Sequence, residues 1–168
     1  MRLSTLLIAL PFVILPPVAQ AKPLLLNSED TYVSACIDGW ETPERLVQIC
    51  ELALDAAGAS TTQRLKIMNQ LAWSYEDLGQ DERGCEIYDE MLLIEPNSTM
   101  GLNGLGWCAW SKGEYGEAAE AFEQALSVIF QAESLAGAAS SKFRGGRVDF
   151  EEASEGLEAA HAVDPDYI

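Results

Sequence analysis

Residues 65–96, LKIMNQLAWSYEDLGQDERGCEIYDEMLLIEP, read as two helices folded back on each other. Leu71, Ala72, Tyr75, Gly79, Gly84, Tyr88 and Met91 recur at helical spacing, interrupted once at Gly79-Gln80-Asp81 and closed by Pro96. Leu105, Gly106, Ala109, Gly113, Ala118, Phe122 and Ala125 match them one for one, each 34 residues later. A fixed period of this length marks a stack of like units, each a helical hairpin.

The same pattern extends outward from this pair. Upstream, Ser60-Thr61-Thr62-Gln63 is a capping box that opens the central hairpin, whose helices are predicted to run to about Leu78 and over 82–94. Downstream, Pro96-Asn97-Ser98-Thr99 ends one helix and starts the next, with helices predicted over 99–112 and 115–130 around Gly113. A further hairpin begins near Glu133, with Leu135, Ala136, Ala139 and Phe143 on one face and a turn at Gly145-Gly146. Asp149 with Glu152 starts its second helix, which carries Ala153, Leu157 and Ala160 and ends before Pro165; one extra residue in the turn keeps the halves in register. Toward the N-terminus, a helix over 29–39 stops at Gly39. Thr42 then caps a second helix, with Pro43 in its first turn, carrying Leu46, Val47, Ile49, Cys50, Leu54 and Ala57 to Gly58.

The order of leucine and small residue, aromatic, turn glycine, small residue, aromatic, alanine and proline resembles the tetratricopeptide repeat. The resemblance covers roughly residues 29–168: two repeats match throughout, the first and fourth mainly in their second helices. It implies an all-α chain, a right-handed α-solenoid of about four such hairpins, each leaving an apolar face that only its neighbours bury. It also implies a concave groove lined by the first helix of each repeat, reached from its second, fifth, ninth and twelfth places. Those are Lys66, Asn69, Trp73 and Glu76 in the central repeat and Met100, Asn103, Trp107 and Trp110 in the next, with Arg144 in the fourth as a further basic group. Tryptophan offers large contact area at low entropy cost, and asparagine amides satisfy a peptide backbone. Trp73 and Trp107 also follow directly on packing pairs, so filling space between adjacent first helices is the competing reading. A groove that grips a terminal carboxylate needs several basic residues, and only Lys66 and Arg144 are offered, which argues against that mode.

The first 21 residues form a separate unit. Met1-Arg2 supplies positive charge, Leu6 to Leu15 an apolar run, and Ala19-Gln20-Ala21 a small-residue cleavage site before Lys22. We read 1–21 as a secretory signal peptide, 22–28 as an N-terminal extension and 29–168 as the repeat domain. The expected location is periplasmic or secreted, with no stable membrane insertion after cleavage, because the apolar run is short and interrupted by Pro11. The formal net charge is −17, and removing residues 1–21 takes away Arg2 and no acid, leaving −18 on the mature chain. Such a surface repels nucleic-acid phosphates and suits a basic or neutral protein segment, although surplus acid also serves solubility alone.

Four cysteines in an exported chain allow three pairings. Residues facing each other on antiparallel helices lie symmetrically about their turn. Cys36 and Cys50 are centred on Pro43, and Cys85 and Cys108 between Pro96 and Asn97, so disulfides 36–50 and 85–108 are expected. The spacing of a zinc site or a Cys-x-x-Cys redox motif does not occur.

No catalytic constellation stands out, and no cofactor or metal is expected. His161, the single histidine, has no nucleophile or orienting partner nearby in sequence, and Gly145-Gly146 lacks the Lys-Ser/Thr of a phosphate-binding loop. Glu117, Glu120 and Glu123 read as a solvated helix face. Asn97-Ser98-Thr99 fits the glycosylation pattern, but Ser98 reads better as a helix cap. The chain is thus read as a non-enzymatic binding module for a peptide or partner protein. Two alternatives are a structural subunit assembling through a C-terminal repeat that leaves Leu157 and Val163 partly exposed, homodimerisation included, and a thiol-redox protein.

Overall fold

The computed structural model describes residues 29–55 and 58–167. The expected signal peptide, the 22–28 extension and Ala57 lie outside the described residues. Eight helices are present among them: α1 (Glu29–Asp38), α2 (Pro43–Asp55), α3 (Thr61–Asp77), α4 (Asp81–Ile94), α5 (Thr99–Lys112), α6 (Tyr115–Val128), α7 (Ala132–Arg144) and α8 (Phe150–Val163). They pair as four hairpins, and every helix packs on the next in order. The first helices also touch in series, α1 on α3, α3 on α5 and α5 on α7, whereas the second helices do not touch one another among the described residues. The stack therefore curves with its first helices inside, and the chain is an all-α solenoid.

Each hairpin turns on a glycine that adopts positive φ: Gly39, Gly79, Gly113 and Gly146. A Cβ is strained there, which is why glycine punctuates the repeat. The starts of the helices are set equally locally. Ser60 Oγ accepts from the Gln63 amide at 3.2 Å while Gln63 Oε1 accepts from the Ser60 amide at 3.0 Å, the reciprocal box expected from the sequence. Ser98 caps α5 by accepting from the Gly101 amide, and Asp149 caps α8 by accepting from the Glu152 amide.

The core is continuous in the N-terminal half, where one cluster takes in Ile49, Cys50 and Ala53 of α2, Leu65, Met68, Leu71 and Ala72 of α3, and Tyr88 and Met91 of α4. Toward the C-terminus it shrinks to alanines around Phe122, then to Ala132, Ala136 and Ala160, with half-buried Leu157 packed against them. Small residues let helices approach closely around one large ring. A Cβ on Gly104 would overlap the Tyr88 ring, and one on Gly106 or Gly137 would meet the Phe122 ring at 2.7 or 2.6 Å. The cysteines pair as the spacing implies: Cys36–Cys50 closes the first hairpin at Cα–Cα 5.0 Å, and Cys85–Cys108 joins α4 to α5 at 5.9 Å.

The register of the last repeat differs from the count by 34. Gly137 receives Phe122 as Gly104 receives Tyr88, but lies 33 residues after Gly104, and Gly146 lies 33 after Gly113. Helix α6 stops at Val128 rather than running to 130, and Ile129-Phe130-Gln131 makes a connection one residue shorter than Glu95–Ser98. Ala153 and Ala160 lie 35 after Ala118 and Ala125, so the α7–α8 turn takes up two residues, not one.

Candidate functional site

Three consecutive first helices build one cavity of about 240 Å³ on the inner face. Asn69 and Trp73 come from α3, Met100, Gly104 and Trp107 from α5, and Glu133 from the first turn of α7. Side chains on one helix face recur at intervals of three and four, so 69 with 73 and 100, 104 with 107 stand in vertical rows. The absent side chain of Gly104 opens the middle of the α5 row. Trp73 stands 49% exposed along one wall.

Glu133 is held by two donors. Its Oε1 accepts from the Trp107 indole Nε1 at 3.1 Å and its Oε2 from Asn103 Nδ2 at 2.7 Å. Asn103 Oδ1 in turn accepts from Ser134 Oγ at 2.8 Å, and Ser134 Oγ accepts from Gln131 Nε2 at 3.1 Å. These bonds fix α7 against α5 and set the tilt of the Trp107 ring, which also meets Phe122 edge-on at 5.0 Å between centroids. The Glu133 charge is felt nearby. Burial, followed by this carboxylate, pushes the Tyr167 phenol up to about 12.

Of the residues expected in the groove, the structure brings together Asn69, Trp73, Met100 and Trp107. Asn103 does not project into it. It is 2% exposed and its amide is engaged by Glu133 and Ser134, so it ties two repeats rather than offering bonds to a ligand. Glu76 lies over Gly84 of α4, close to Tyr88, and so turns toward its own hairpin. Burial raises its pKa, an effect partly countered by a Tyr88 hydrogen bond. Burial likewise pushes the Tyr88 phenol up, with Glu76 adding to the shift. Trp110 packs edge-on to Tyr115 at 5.1 Å, and Arg144 covers both rings at 5.9 and 5.4 Å while donating to the Tyr115 hydroxyl. That cluster sits outside the cavity. Lys66 is exposed on α3 and does not line it either.

Two lining residues fall outside the expected places: Gly104, whose missing side chain opens the α5 row, and Glu133, which the count by 34 misses. In the observed register Glu133 holds the place of Lys66 and Met100, 33 residues after Met100. The signal in the sequence was the missing proline turn between α6 and α7, which shortens the link. The remaining candidates for chemistry are superficial: His161 is exposed on α8, while Glu120 and Glu123 are exposed and pair with Arg147 and Lys142.

Comparison with known proteins agrees with this architecture. The tetratricopeptide-repeat family profile matches residues 65–98 and again 100–128. No curated protein matches the chain. Among solved structures, MamA (41-end) from Desulfovibrio magneticus RS-1 superposes with TM-score 0.62 at 16% identity, covering 82% of this chain and 75% of that one. YrrB, described as a TPR protein with an unusual peptide-binding site, superposes with TM-score 0.59 at 19% identity over 83% of this chain and 71% of that one. At such identities the likeness speaks for the fold alone, and the repeat matches carry the family. Residues 65–128 thus hold two tetratricopeptide repeats, flanked on either side by a helical hairpin of the same build.

Proposed function

We propose that the chain is a non-enzymatic protein-interaction module that takes an extended peptide, or a segment of a partner protein, along its inner face. The observation that carries this reading is the cavity spanning α3, α5 and α7, with Trp73 half exposed beside Met100 and Trp107. An exposed indole beside a thioether and a second, part-buried indole provides apolar contact of the kind that dominates recognition surfaces. The peptide-binding site for which YrrB is described supports the same use of the fold. The place of action is the cell envelope, periplasmic or secreted. The leader-like residues 1–21 and the pairing of all four cysteines support that reading.

The test is selection of displayed peptides on the mature oxidised protein, then titration of a selected peptide against Trp73→Ala and Phe150→Ser. Trp73→Ala should weaken binding at least tenfold, and Phe150→Ser, on the opposite edge of the last hairpin, should leave it unchanged. The reverse order would remove the proposal.

A second reading is favoured by the exposed Phe130, which lines a depression beside the α6–α7 link with Val163 and Tyr167, and by the exposed Val128 and Ile129 that precede it in the chain. In that reading the C-terminal repeat assembles with a second copy or an envelope complex. A stable monomer by sedimentation at micromolar concentration would discard the homodimer.

A further inference from the structure

We infer that the cavity between α3, α5 and α7 seats an arginine side chain of the partner, held against the indoles of Trp73 and Trp107 and bonded to Glu133. This rests on the groove reading above and narrows the partner to a basic segment. Glu133 supplies the first argument. An ionised carboxylate offers about four acceptor positions. Each Glu133 oxygen has one internal donor, so capacity remains on both. No ion pair involves Glu133 among the described residues, where the three present are Arg83–Glu86, Lys142–Glu123 and Arg147–Glu120. The two internal donors thus hold a carboxylate in place on the cavity wall with no cation opposite it.

The walls supply the second argument. Indole faces attract a cation within about 6 Å, and a guanidinium also stacks on them as a plane. A volume near 240 Å³ admits one long side chain. Arginine fits better than lysine because its planar fork can meet both oxygens of one carboxylate, whereas an ammonium is a compact point charge. The third argument is charge: none of the lining residues is basic, and the chain carries −17 overall, so an acidic occupant is repelled and a basic one drawn in.

The experiment follows the indole N–H resonances of the full mature protein during titration with an eight-residue Gly/Ser peptide carrying one central arginine. The same peptide with lysine, or with uncharged citrulline, is run in parallel, together with tetramethylammonium. The arginine peptide is expected to shift the Trp73 and Trp107 signals and to bind at least tenfold tighter than the citrulline peptide, with lysine between them. Glu133→Gln, which keeps one acceptor oxygen, should erase the arginine–citrulline difference. Trp73→Leu, at a half-exposed position, should weaken arginine binding without loss of the native spectrum. Equal binding of arginine and citrulline peptides at these indoles would overturn the inference and leave the groove reading standing. Tighter binding of tetramethylammonium than of the arginine peptide would overturn it in favour of a small-cation site. Failure of every peptide, selected ones included, to move either indole would overturn both readings.

Discussion

Asn103 and Glu133 divide between them what one residue was expected to do. Reading the repeat places Asn103 on the inner face, but an amide there can be drawn into the seam by a carboxylate and a hydroxyl on the next helix, and those partners lie 30 and 31 residues away. Asn103→Ala would leave the Ser134 hydroxyl and one Glu133 oxygen short of a partner, at a cost of about 1–3 kcal/mol in urea unfolding. Peptide affinity should change less than with Trp73→Ala. Gly104→Ala tests the packing directly: the added methyl overlaps the Tyr88 ring, and overpacking of that kind costs about 1–3 kcal/mol. Glu76 makes a prediction in pH. Burial raises its folded-state pKa above the ordinary 4.5, so the folded chain holds that proton more tightly than the unfolded one. The resulting stabilisation is complete below 4.5 and is lost as pH rises through the higher folded value. Glu76→Gln does not titrate and keeps an acceptor for Tyr88. Its melting temperature relative to wild type should therefore be higher at pH 7.5 than at pH 3.5; an unchanged difference would contradict the assignment.

At the scale of helices, most of the architecture was legible because it is written locally. The Ser60–Gln63 box, the Ser98 and Asp149 caps and the turn glycines mark the ends of α3, α5, α7 and α8 to within a residue or two. The offset of α7 was less legible. Its run of small buried residues, Ala136-Gly137-Ala138-Ala139, looks alike in neighbouring registers, and only the ring of Phe122 seated on Gly137 distinguishes 33 from 34. The disulfides act at the same scale. Cys36–Cys50 ties the ten-residue α1 to α2, and Cys85–Cys108 ties the second hairpin to the third. Each closes a loop for which chain entropy suggests about 3 kcal/mol. Cys36→Ala with Cys50→Ala should expose α1 to limited proteolysis while 61–163 stays protected. Cys85→Ala with Cys108→Ala should lower the urea midpoint and broaden the transition as the two halves uncouple.

Across the whole molecule, curvature turns three separate helices into one surface. The first helices touch in series and the second helices do not, so residues 69, 73, 100, 107 and 133 converge although 64 positions separate the first from the last. Periodicity could identify four of those five because they fall within the two regular repeats. It could not show that Trp110 and Arg144 would close on Tyr115 instead, since that depends on ring contacts at the α5–α6 turn. The inner face is the central claim, and a photoreactive side chain tests it most directly. Benzoylphenylalanine placed at Trp73 should crosslink a bound, selected peptide, and the same group at Leu93, exposed at the end of α4, should not. Crosslinking at Leu93 with none at Trp73 would contradict the account.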